Sequence, residues 1–194
     1  MKNQNIVKGV AAAGLLLAIG SLSSNAVAAK YKIDPGHSFI EFSILHLGYS
    51  VMKGRFNKLS GGFEYDSANP GSSSIQVEVE TASVDTNHAE RDKHLRSKDF
   101  LEVKTHSMAS FKSTGFKPDG DGAMLQGDLT IHGVTRSVSM AVVKIGEGKD
   151  PWGGYRAGFK GTLDLKRSDF GMDHNLGPKS DGFELAVFIE GIRE

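Results

Sequence analysis

Short segments in which apolar and polar residues alternate recur along almost the whole chain. Leu125-Gln-Gly-Asp-Leu-Thr-Ile131 is one, Tyr155-Arg-Ala-Gly-Phe-Lys-Gly-Thr-Leu-Asp-Leu165 is another, and Leu185-Ala-Val-Phe-Ile189 is the last. A side-chain period of two places every second residue on one face, so each segment reads as a strand with one apolar side. The pattern predicts strands near 38–47, 52–57, 59–66, 74–84, 107–116, 123–131, 135–145, 155–166 and 183–192. Turn residues punctuate them: Asn69-Pro70-Gly71, Pro118-Asp119-Gly120, His132-Gly133, Asp150-Pro151, Gly177-Pro178 and Asp181-Gly182. Strands at this spacing make a sandwich or a barrel. The short connections favour an antiparallel meander, and Gly61, Gly127 and Gly161 fall on apolar faces, where a closed sheet must bend or leave room. The predicted fold is therefore all-β, a closed antiparallel barrel of about eight strands, a size whose interior either fills with side chains or holds one small ligand.

One segment breaks the alternation. Asn87-His-Ala-Glu-Arg-Asp-Lys-His-Leu-Arg-Ser97 is densely charged and reads as a short helix, with Asn87 as its cap and Glu90 three positions on, as in a capping box. Glu90 with His94 and Asp92 with Arg96 stand four apart, at pairing distance along one helical face. Phe100 and Leu101 supply an apolar end that docks the segment across one mouth of the barrel.

The N-terminal residues do not share this pattern. Lys2 and Lys8 make a positive start, Gly9 to Leu22 is apolar, and Ala26-Val27-Ala28 follows a polar Ser23-Ser24-Asn25. That order is a secretory signal, and the expected cleavage after Ala28 leaves a single domain over 29–194. The apolar run is shorter than the roughly 20 residues a membrane span requires. The chain has no cysteine, so it has neither disulfides nor a lipoprotein anchor. It carries 23 basic and 23 acidic residues, and loss of Lys2 and Lys8 leaves a net charge of about −2. That balance gives no footprint for nucleic acid, which selects a basic patch or stripe.

The opening Tyr31-Lys-Ile-Asp34, the stretch His37-Ser-Phe-Ile-Glu-Phe-Ser-Ile-Leu-His-Leu-Gly48 and the segment Ser83 to Ser97 followed by Asp99-Phe100-Leu101 resemble the YceI-like family of exported proteins. Gly127 to Thr135, Asp150-Pro-Trp-Gly-Gly154, Arg156-Ala-Gly-Phe159 and the Asp169-Phe170 pair extend the resemblance, in order, over essentially the whole chain after the signal. The resemblance implies a lipocalin-like barrel in the periplasm whose lumen holds a polyprenyl chain or the tail of an isoprenoid quinone. It implies no cofactor and no catalytic residue. The expected function is thus an isoprenoid lipid carrier; the alternatives are an enzyme or redox accessory acting on such a lipid, and a fatty acid or amide binder. Transient contact with a membrane or membrane protein and the oligomeric state, a dimer included, stay open.

The expected ligand lining is the inward face of each strand: Ile40, Phe42, Ile44 and His46; Phe56 and Phe63; Val77 and Val79; Phe111; Leu125 and Leu129; Met140 and Val142; Phe159 and Leu163; Leu185 and Val187. Core packing alone explains any one of them, because small barrels often fill their own lumen. His46 lies beyond Ile44, near one barrel end, where it meets backbone or a ligand's head group. Trp152 is expected to cover a barrel end. Seven histidines raise the question of metal, but His88 and His94 are six apart rather than the four that joins two ligands on one helix, so no metal ligand is assigned. A site joining His88 or His94 to His37 or His106 across the fold stays open. No G-x-S-x-G elbow or phosphate loop occurs, and the His132 turn needs no role beyond turning the chain.

Overall fold

The computed structural model describes residues 28–194, so the predicted export segment, apart from Ala28, lies outside the described residues. The strands are β1 (Ala29–Ile33), β2 (Phe39–His46), β3 (Ser50–Phe56), β4 (Leu59–Tyr65), β5 (Ser74–Glu80) and β6 (Val84–Asp85). After the helix α1 (Ala89–Leu95) come β7 (Met108–Asp119), β8 (Gly122–Ile131), β9 (Val134–Lys149), β10 (Tyr155–Lys166) and β11 (Gly182–Arg193). All pairings are antiparallel.

Six of these strands are halves of three bent ones. β1 and β2 lie end to end along the same edge of β11, through Tyr31↔Arg193 to Ile33↔Gly191 and then Phe39↔Phe188 to Ile44↔Phe183. β4 pairs with β1 while β3 pairs with β2, and β5 and β6 pair in turn with β4 and β3. Counting each bent pair once, eight strands close into a ring in sequence order. This is the predicted closed antiparallel barrel, and closure leaves its main ladder without an open edge. The alternation reading omitted β1, although Tyr31 and Ile33 point inward and are buried between exposed lysines.

The bends separate an upper from a lower storey. At Asn57-Lys58 and the 3-10 turn Thr81–Ser83 the ladder is interrupted and patched: Asn57 N–H donates to the Ser83 carbonyl (3.1 Å), and Glu80 N–H to that of Lys58 (3.1 Å). The predicted 74–84 strand is accordingly two strands with a turn between. Close approach governs the expected glycines. A Cβ on Gly127 would run into the Phe111 ring and the Lys112 carbonyl, and Gly61 adopts φ +139 against the backbone of β5.

Below the bends an aromatic cluster closes the barrel. Tyr31 stacks on Phe63 at 4.7 Å between centroids, and Phe159 meets Phe63 and Tyr65 edge-on at 5.6 and 5.1 Å. Outside it, Arg156 gathers three carboxylates: Nη1 donates to Asp34 (2.8 Å) and to Glu190, and Nε to Asp150 (3.0 Å). Asp150 Oδ1 also accepts the Trp152 and Gly154 N–H groups, so the Asp-Pro-Trp-Gly-Gly turn is a clasp joining the β9–β10 hairpin to the end of β1. Trp152 does not cover the barrel. It is 79% exposed and lies against the Arg156 guanidinium, 5.7 Å from ring centroid to Cζ.

Candidate functional site

The upper storey lacks a strand beyond β6, since β7 begins only at Met108 and pairs with β5. The helix and the chain around it fill this gap, and the charges expected to pair along the helix hold it there instead. Asp92 is buried, and one of its oxygens accepts from both the N–H (2.9 Å) and the hydroxyl (2.6 Å) of Thr86. Arg91 donates to the Thr86 hydroxyl and carbonyl, each at 2.7 Å, and Arg96 to the carbonyls of Ala82 and Val84. One acid and two arginines thus satisfy backbone groups that no neighbouring strand reaches. His94 pairs with Asp99 (3.1 Å), not with Glu90. The cap is His88, whose Nδ1 accepts the Arg91 N–H, while Asn87 takes the left-handed turn at φ +59.

Behind this latch lies a cavity of about 440 Å³. Phe42, Ile44, His46, Phe56 and Leu185 line it from the predicted set, together with Met52, Leu95, Phe100, Leu101, Ile131, Met172, Leu176 and Phe183. The volume lies within the roughly 300–1,000 Å³ of ordinary ligand pockets. Arg167, also buried on its wall, donates to the carbonyls of Ser180 (2.8 Å), Met172 (2.7 Å) and His174 (3.3 Å), which neutral partners fold the 167–181 segment over the cavity. The polar groups Glu90, Arg91, His94 and His46 gather toward the rim. His46 is exposed there, at the barrel end expected for it. Beside it the β2–β3 hairpin carries Leu45, Leu47, Tyr49 and Val51 into solvent, Tyr49 at 87% exposure.

Two smaller voids continue down the barrel. One of about 110 Å³ is lined by Ile40, Val77, Val79, Phe111, Leu129 and Leu163, and it shares Phe56, Leu101, Ile131 and Leu185 with the large cavity. The other, of about 70 Å³, is lined by Phe63, Val142 and Phe159 and shares Leu125, Met140 and Val187 with the middle one. Every residue of the predicted lining therefore faces one of three apolar compartments in a row. Several, including Phe56, Phe111, Phe159, Leu163 and Val187, point inward yet are only partly buried. A close-packed interior would cover them.

The described residues hold three groups with metal-ligand chemistry. In Asp34–His37–Glu190 both carboxylates are engaged by Arg156. His94 of the His94–Asp99–His174 group lines the cavity, and the Glu102–His106–His132 group follows directly on the wall residues Leu101 and Ile131. None joins His88 or His94 to His37 or His106.

A closed barrel with an apolar interior that reaches solvent at one end is the architecture of a protein that holds a ligand rather than one packed solid. The chain belongs to the YceI-like family, whose domain profile matches residues 31–190. A UPF0312 protein of Ectopseudomonas mendocina is 53% identical over 187 residues, covering 95% of this chain and 98% of that protein. The structure is similar to that of Burkholderia cenocepacia BcnA, with a TM-score of 0.73 and 24% identity over 81% of this chain and 98% of that one. It is also similar to a polyisoprenoid binding domain from Saccharophagus degradans, with a TM-score of 0.64 and 18% identity over 86% and 99% of the two chains.

Proposed function

We propose that the protein is an exported, periplasmic carrier that shelters the apolar tail of an isoprenoid lipid, such as a polyprenyl chain or a quinone tail, inside its barrel. The observation that carries this reading is the row of three apolar compartments, the widest of which reaches solvent beside His46. A tail of repeated five-carbon units needs dry volume more than polar contacts, since each buried methylene contributes roughly 0.8 kcal/mol before ordering is deducted. The signal-like residues 1–28 support export. The likeness of the fold to a polyisoprenoid binding domain supports the ligand class. The exposed Leu47 and Tyr49 beside the mouth supply an apolar tip for meeting a membrane during exchange.

The test is native mass spectrometry of protein purified from its host's periplasm without harsh detergent, followed by extraction and identification of the bound compound. The expected result is one isoprenoid lipid per barrel. Protein that is repeatedly empty, and that takes up neither polyprenols nor isoprenoid quinones, refutes the reading. Leu47→Ser with Tyr49→Ser should slow uptake from vesicles while leaving the affinity for dispersed lipid unchanged; equal loss of both would remove the membrane contact from the proposal.

A further inference from the structure

The hairpin between β8 and β9 turns on two residues, His132 (φ +51) and Gly133 (φ +74), with Ile131 paired to Val134. This is the doubly left-handed turn that suits the twist of paired strands, and histidine is among the few side chains that enter it readily. The conformation turns the His132 ring inward, where the side chain is only 14% exposed. Its Nδ1 lies 3.1 Å from the carbonyl of Phe170, a fully buried residue. A carbonyl only accepts, so Nδ1 bears the hydrogen and Nε2 presents a lone pair. That Nε2 is buried and has no hydrogen-bond partner.

Two further ligand atoms stand in front of it. Glu102, at φ +44, accepts the N–H groups of Thr105 and His106 on its carbonyl, both at 2.9 Å, a tight turn that brings the Glu102 and His106 side chains together. The Thr105 hydroxyl donates to Glu102 Oε1 (3.0 Å), leaving Oε2 to face the imidazoles, 3.6 Å from His132 Nε2 and 3.9 Å from His106 Nε2. The two rings lie 4.5 Å apart between centroids. Gly133 makes the approach feasible, because a Cβ there would sit 2.7 Å from His106 Cε1. Thr81 anchors the backbone by donating to the His106 carbonyl (2.7 Å).

We propose that Glu102 Oε2, His106 Nε2 and His132 Nε2 bind one divalent transition-metal ion of the zinc class. Bonds of about 2.0–2.2 Å in a tetrahedral site place neighbouring ligand atoms roughly 3.3–3.6 Å apart; the Glu102–His132 separation of 3.6 Å already meets this, the Glu102–His106 separation is 3.9 Å, and all three ligand atoms lie within 4.8 Å of one another. The Phe170 carbonyl and the Thr105 hydroxyl already occupy the outer positions that orient a metal-binding imidazole and carboxylate. Three protein ligands leave a fourth position for water. The ion would join the segment following the helix to the β8–β9 turn, whose neighbours Leu101 and Ile131 form the boundary between the large and middle cavities.

Untagged, chelator-treated protein titrated with Zn²⁺ by calorimetry should bind one equivalent, with a rise in thermal midpoint, and Co²⁺ should give the visible absorption of a tetrahedral site. His132→Asn keeps a residue that tolerates the turn, and Glu102→Gln leaves the turn untouched; each should weaken Zn²⁺ binding at least tenfold. His94→Asn with His174→Asn should bind within twofold of the parent. Absence of stoichiometric binding, unchanged affinity in both Glu102→Gln and His132→Asn, or loss confined to the His94 and His174 variant overturns the assignment.

Discussion

Leu185 offers the sharpest test of how the interior is used. It is buried, and its side chain belongs to the wall shared by the large and middle cavities. Leu185→Ala joins the compartment of about 440 Å³ to that of about 110 Å³. Large-to-small core substitutions of this kind cost about 2–5 kcal/mol, and a side chain already facing empty space on two sides falls toward the lower end. At roughly 2–4 °C per kcal/mol for a domain of this size, the ligand-free melting midpoint should fall by about 4–12 °C. The same change lets a tail pass the constriction. One additional five-carbon unit buried there is worth a gross ~4 kcal/mol, from which chain ordering subtracts most. A net gain of about 1.4 kcal/mol is a tenfold tighter complex. Displacement of a fluorescent lipid by isoprenoid alcohols of increasing length reads this directly: the long-to-short affinity ratio should rise about tenfold in Leu185→Ala. A folded variant whose ratio matches the parent's would refute a tail that threads from the large cavity into the middle one.

The helix latch and the carboxylate clasp give two more expectations. Asp92→Ala strands the buried Thr86 N–H and should cost about 1–3 kcal/mol; because the latch covers the large cavity, lipid release followed by stopped-flow should also accelerate, and an unchanged release rate would separate the latch from ligand exchange. Hydrogen bonds from Arg156, then His37, hold the Asp34 pKa down to about 2, from an ordinary 3.8. A carboxyl depressed on folding contributes its full stability above 3.8 and loses it as the pH falls toward about 2, so urea midpoints should drop across that window and drop less in Asp34→Asn. Equal acid sensitivity in both proteins would assign the loss to other groups.

Alternation was enough to find every strand but β1, because a half-buried β-surface writes its period directly into the sequence. It separated 52–57 from 59–66 but did not show that strands on either side of a bend are halves of one, which depends on hydrogen bonds between neighbouring strands: Lys58 N–H to the Ser83 hydroxyl is invisible along either segment alone. The charged segment was recognisable as a helix, but pairing its charges with one another presumed a solvated face. The side chains of Arg91, Asp92 and Arg96 turn toward the exposed backbone of residues 82–86, a demand created only by the end of the sheet. The sequence marks His132 as a turn residue, which it is; that its ring faces Glu102 depends on a segment 30 residues earlier folding back against the β8–β9 turn.

The same distinction separates the lining from the cavity. Periodicity identifies faces, and all the inward faces it identified do line voids. It says nothing of volume, and only Phe42, Ile44, His46, Phe56 and Leu185 of that set border the widest compartment. Half of the remaining apolar wall there comes from Leu95 of α1, from the Phe100-Leu101 pair and from Met172 and Leu176, none of which carries a strand period. The lower strands, whose pattern is clearest, surround the narrowest voids because their side chains meet across the ring in the Tyr31–Phe63–Phe159 stack. Room for a ligand appears where the bent strands leave the ring and irregular chain must complete the wall. Changes in ligand choice within this fold should therefore concentrate in the 89–101 and 167–181 segments, whereas substitutions on the lower inward faces should act first through stability.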